Sequence, residues 1–100
     1  MENISIRVEA TRGVTDVGLA SALDLFLGLD GQEPVVGLVG PAFSSVSLPV
    51  ATTASVQQVT LVSFSATSPI LSNKDAYPYF LRTVPPDSVQ ANVLWTWLLF

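Results

Sequence analysis

The chain opens with Ile4, Ile6 and Val8 alternating with polar neighbours, and a period of two predicts a half-buried strand. The period then lengthens. Val17, Ala20, Leu23 and Leu27, with Ala22, Leu25 and Phe26 beside them, recur at helical spacing; Thr15 or Asp16 serves as the cap, and the helix runs to Leu29, with stop signals from Gly28 to Gly31. Val35 to Val39 is a short β-branched run closed by Gly40-Pro41, the pattern of a strand buried on both faces, as parallel strands are. Val46, Val50, Ala54 and Val56 then fall at helical spacing, with Ser44 or Ser45 as N-cap and Pro49 tolerated near the first turn. Val59 to Phe64 repeats the buried-strand pattern, and Ser65 to Pro69 follows as a polar loop. Tyr77 to Val84 reads as a further extended segment ended by Pro85-Pro86. Asp87-Ser88-Val89-Gln90 has the capping-box order and opens a helix carrying Trp95 and Trp97, which are expected in a core.

Strand and helix alternate throughout, so the fold class is α/β, a partial doubly wound parallel sheet. No internal repeat or low-complexity linker divides the chain, and residues 1–100 read as one unit. Its last helix reaches Phe100 without a stop signal, which reads as truncation at the C-terminus.

Charge changes this picture in one respect. Only 12% of the residues are charged, about half of the roughly 25% usual for soluble chains, and none of them lies between Pro34 and Asn73. That block is no membrane span, because Pro41, Pro49, Pro69 and the Gln57-Gln58 pair interrupt it, and a span needs roughly 20 consecutive apolar residues. No signal peptide is read at the start, and Asn3-Ile4-Ser5 is a glycosylation sequon of low specificity. With no Cys and no His there is no thiol nucleophile, disulfide, Ser-His-Asp triad or ordinary zinc site, so neither a cofactor nor a metal is expected, and no enzyme. Four positive residues against eight acids give a net charge of −4 and no basic stripe, so no nucleic acid is expected as a partner.

Ligands of open α/β sheets bind beyond the carboxyl ends of the strands. Three loops qualify: Gly40 to Ser47, Ser65 to Ser68, and Pro85 to Ser88. The first joins hydroxyls to the free N–H groups of a helix N-terminus, the second adds a hydroxyl and exposed backbone, and the third adds the Asp87 carboxylate. Such a set suits a small zwitterion, its carboxylate on the serines and its ammonium on Asp87. A second reading explains the same residues locally, with Ser44, Ser45 and Thr67 as cap and turn residues and Asp87 with Gln90 as a capping box. The spacing of Gly37 and Gly40 matches neither nucleotide-binding motif.

Three ordered segments carry a family resemblance. Val36-Gly37-Leu38-Val39-Gly40-Pro41 with Ser44-Ser45-Val46, Leu61 to Pro69 followed by Leu71-Ser72-Asn73-Lys74, and Tyr77 to Pro85 followed by Asp87 and Gln90-Ala91 resemble the receptor-type ligand-binding region of class C G-protein-coupled receptors, nearest to GABA-B-like and metabotropic-glutamate-like members. The resemblance implies part of lobe 1 of a type I periplasmic-binding-protein-like clamshell that senses an amino acid or GABA-like zwitterion. It implies ligand-binding roles for Ser44, Ser45, Ser65, Ala66, Thr67 and Asp87. It also implies a plasma-membrane location on the extracellular side, a receptor dimer in the intact protein, and a membrane connection only through a transmembrane domain outside this chain. Phe43 stands where relatives often carry a small residue, and it is a candidate to fill the pocket. An amino-acid-binding protein of a transport system, or a truncated non-binding fragment, are the competing readings.

Overall fold

The computed structural model describes residues 6–28, 31 and 33–99. In chain order the elements are α1 (Thr15–Leu27), β1 (Gly37–Val39), α2 (Ser44–Gln57), β2 (Thr60–Ser63), a 3₁₀ turn (Pro69–Ser72), β3 (Phe80–Arg82) and α3 (Asp87–Leu98). The strands form one parallel sheet in the order β1-β2-β3. The α/β alternation legible in the sequence is therefore present, with strands shorter than the apolar runs that mark them.

Register explains which side chains are buried. Leu38 pairs with Leu61 and Leu61 with Phe80, so these three form one row across the sheet. That row faces α2, whose Val46, Val50, Ala51 and Ala54 join Leu61 and Phe80 in the core, with Leu38 packed against it. Val39, Val62 and Leu81 form the next row, and alternation along a strand turns it to the opposite face. There Val39 is 79% exposed and Leu81 more than half exposed. The expectation that β1 is buried on both faces is thus corrected: the described helices cover one face of the sheet only.

The N-terminal strand is also corrected. Residues 6–10 pair with no strand among the described residues, and Ile6 and Val8 are 85% and 90% exposed. Alternation supplies a strand-like face but no neighbour to pair with, and side chains hold the segment against α1 instead. Arg7 donates to the Glu33 carbonyl at 2.9 Å and lies 3.8 Å from the Asp24 carboxylate, while the Ser21 hydroxyl donates to the Ala10 carbonyl at 3.0 Å. Glu9, beside this pair, has its carboxyl raised above the ordinary value, chiefly by a hydrogen bond with the Asp24 side chain. Ile4, the sequon at Asn3, the proposed helix end at Leu29 and the terminal Phe100 lie outside the described residues.

α1 starts after Val14 rather than on a Thr15 or Asp16 cap, and it ends on Gly28, whose φ of 65° is the left-handed conformation that glycine adopts without a Cβ penalty. Pro49 falls inside α2. Having no N–H, it leaves the Ser45 carbonyl without its helical donor. The Thr15 hydroxyl donates to that carbonyl at 3.4 Å, so the gap left by the proline becomes a link between α1 and α2. Close packing reinforces the link: a Cβ on Gly18 would stand 2.3 Å from Val46 Cγ1.

α3 departs most from the expected pattern. Its N-cap is Pro86, and Asp87 is the first helical residue with no side-chain cap bond. A capping box needs the backbone N–H of its first residue free for the later side chain, but the Asp87 N–H already donates to the Thr67 carbonyl at 2.8 Å. No residue of α3 is buried, and Trp95 and Trp97 are 64% and 70% exposed rather than in a core.

Gly18→Ala is expected to destabilise the chain by about 1–3 kcal/mol, the usual cost of overpacking a close contact. Urea unfolding checks this, and Gly18→Ala combined with Val46→Ala should lose less than the sum of the two single changes.

Candidate functional site

Because all three strands run parallel, their carboxyl ends and the loops that follow them share one edge of the sheet. Those loops contain Ser44 and Ser45, Ser65 to Thr67, and Asp87, and a hydrogen-bond network ties them together. Its centre is Ser63, the last residue of β2. Alternation with Leu61 turns the Ser63 side chain inward, where it is fully buried. Its hydroxyl donates to the Pro41 carbonyl at 2.7 Å and accepts from the N–H groups of Ala66 at 3.0 Å and Ser65 at 3.4 Å. One donor and two acceptor positions are thereby filled, the full capacity of a hydroxyl. The Ser63 carbonyl accepts from the Thr83 N–H at 3.1 Å, which reaches the end of β3. The buried Ser47 hydroxyl gives Pro41 a second donor at 3.4 Å.

Around this centre the expected residues take distinct places. Ser44, the first residue of α2, does not cap the helix; its hydroxyl accepts from the Ser68 N–H at 3.1 Å and keeps its own proton for another acceptor. Ser45 is exposed, and its carbonyl is turned to α1. The Ser65 and Ala66 amides, expected as exposed backbone donors, are turned inward onto Ser63. Thr67 is half-buried, and its carbonyl accepts from Asp87. Among the described residues its N–H and hydroxyl have no hydrogen-bond partner. Asp87 is exposed, and its backbone N–H is the donor to the Thr67 carbonyl. Ser44, Thr67 and Asp87 thus sit on loops that are directly bonded to one another, whereas Ser65 and Ala66 serve this edge through inward-turned amides. Phe43 is mostly exposed, and its ring lies against Gly13, 3.1 Å from where a Cβ there would stand.

The three loops carry neutral donors and one carboxylate on the same edge of the sheet. A Ser44 hydroxyl, a Thr67 hydroxyl and a Thr67 N–H match a carboxylate, and Asp87 matches an ammonium. The described residues contain no cluster of His, Cys, Asp or Glu able to hold a metal. No helix among them is long and apolar enough to cross a membrane. A separate concave surface along α3, lined by Pro85, Val89, Val93 and Trp97, is apolar and open, and it includes none of the three loops' hydroxyls.

Three residues of this edge were not singled out as site residues by sequence reasoning. Ser63 carries a signal, since it is a polar residue at the inward register of an otherwise apolar strand. Ser47 sits on the buried face of α2 in the same way. Arg82 ends β3, and its guanidinium donates to the carbonyls of Ala66 at 3.1 Å and Ser68 at 2.8 Å and to the Ser72 hydroxyl.

The family described as "Receptor family ligand binding region" matches residues 2–99. The chain is similar to G-protein coupled receptor family C group 6 member A of Carassius auratus, with 32% identity over 74 residues, 66% of this chain. It spans 8% of that relative's length.

Ser63→Ala leaves a buried amide and weakens the support of the Pro41 carbonyl, so it should cost about 1–3 kcal/mol. Hydrogen exchange should quicken at Ser65 and Ala66 before it quickens in α2. Ser65→Ala, at an exposed side chain, should stay within about 0.5 kcal/mol.

Proposed function

This chain belongs to the receptor family ligand-binding region, and on that premise we propose that it is part of the first lobe of a class C G-protein-coupled receptor, where it binds a small amino-acid-like zwitterion. The ligand carboxylate lies on Ser44 and Thr67, and the ammonium lies on Asp87. The lobe stands on the extracellular side of the plasma membrane, in a receptor that works as a dimer and reaches the membrane through a separate transmembrane domain. A second lobe closes over the ligand, and closure is the signal. The role is binding without turnover, so no catalytic residue or cofactor is assigned.

One observation carries this reading: the Asp87 N–H donates to the Thr67 carbonyl and the Ser68 N–H to the Ser44 hydroxyl. The acid and the hydroxyls thus belong to a single bonded edge. Had Asp87 formed a capping box with Gln90, its carboxylate would be engaged by its own helix; no such bond is present. The exposed carboxylate is left to receive a cation.

Binding also gives the uncharged block a purpose. Neutral donors desolvate at lower cost than ionised side chains, so a carboxylate is recognised without a second buried charge. The only full charge required of these residues lies on Asp87.

Calorimetric titration of the complete ectodomain with a panel of amino acids and γ-aminobutyrate tests the proposal. Saturable heat is expected with at least one member of the panel. Asp87→Asn and Ser44→Ala should each weaken that binding about tenfold or more, the worth of a hydrogen bond to a charged group, while thermal stability changes little. Absence of heat up to millimolar ligand, or full affinity in both variants, overturns it.

A further inference from the structure

We infer that Arg82 is a positioning residue for this site, fixing the direction in which the Thr67 N–H points; the inference rests on the ligand reading above. The guanidinium holds the Ala66 carbonyl at 3.1 Å and the Ser68 carbonyl at 2.8 Å, with a further bond to the Ser72 hydroxyl. In a trans peptide the carbonyl oxygen of one residue and the N–H of the next point in opposite directions. The only cis peptide among the described residues is Gly40-Pro41, so the 66–67 peptide is trans. Anchoring the Ala66 carbonyl on Arg82 therefore turns the Thr67 N–H away from the guanidinium. Among the described residues that N–H is the amide of the loop left without a partner, while the amides of Ser65, Ala66 and Ser68 are engaged by Ser63 and Ser44.

Arg82 suits this task better than another cation would. Its planar fork serves three acceptors at once, which a lysine ammonium does not do at fixed geometry. The guanidinium is itself held, half-buried, with its carbon 5.8 Å from the centre of the buried Phe80 ring. Lys74, 5.6 Å from the same ring, donates instead to the Phe80 carbonyl. The loop is thereby braced from both sides: Ser63 fixes the amides of residues 65 and 66, and Arg82 fixes the carbonyls of residues 66 and 68. Neither residue has to touch the ligand.

The test uses the complete ectodomain carrying Arg82→Met or Arg82→Lys, with hydrogen exchange followed over residues 63–69 and over α2. The same panel of amino acids and γ-aminobutyrate is titrated into each protein. In Arg82→Met, exchange in 63–69 should quicken about tenfold with α2 unchanged, and affinity for whichever panel member binds should fall about tenfold. Arg82→Lys should fold and give an intermediate affinity. Unchanged exchange in 63–69 overturns the inference, and so does altered exchange with unchanged affinity. Should Arg82→Met fail to fold, full affinity and unchanged exchange in Arg82→Lys overturn it equally. Should the unmodified ectodomain bind no panel member, the ligand reading fails by itself, and the exchange result alone decides whether Arg82 sets the loop.

Discussion

The buried hydroxyl of Ser63 is the interaction on which the loop edge depends. It ends the central strand, so it reaches the strand on either side: the loop after β1 through Pro41, and the start of the loop after β3 through the Thr83 amide on its own carbonyl. It also folds its own loop back by accepting two successive amides. A buried hydroxyl with every position satisfied stabilises, while the same hydroxyl half-satisfied costs more than an apolar side chain would. Three loops are thereby tied to one residue, two through its hydroxyl and the third through its carbonyl, and the direction of each is coupled to the others.

The apolar core does a different job, holding the sheet against α2. The row Leu38, Leu61 and Phe80 meets the small residues of α2, and Gly18 lets α1 approach Val46 closely. The second row, Val39, Val62 and Leu81, faces the other way and is left largely open, as are Trp95 and Trp97 on α3. Parallel sheets are ordinarily covered on both faces. The open row and the open helix are exposed apolar surfaces of the kind that mark interaction sites.

Much of this was legible in the sequence, and the limits have physical causes. The three apolar β-branched runs mark the strands, and the i, i+4 spacing of Val46, Val50 and Ala54 marks the buried face of α2. The open face of β1 was not legible, because an apolar run tells which residues prefer to leave water and not which neighbours are present to cover them. Ile6 and Val8 fail as a strand for the same reason: alternation gives a face, but pairing needs a partner. The capping pattern at Asp87 misled because a local motif competes with tertiary bonds, and here the Thr67 carbonyl had already taken the amide that the motif uses. Ser44 and Thr67 are candidates on hydroxyl content alone, while Ser63 and Arg82 emerge only when strand register and loop direction are known.

The central claim is that three strand-end loops form one binding edge, with Ser44 and Thr67 for a carboxylate and Asp87 for an ammonium. A crystal structure of the complete ectodomain grown with a bound amino acid tests it most directly. The account predicts the ligand carboxylate within hydrogen-bond distance of the Ser44 hydroxyl and the Thr67 N–H, and the ammonium on the Asp87 carboxylate. A ligand seated elsewhere, or one whose carboxylate and ammonium make none of these contacts, contradicts it.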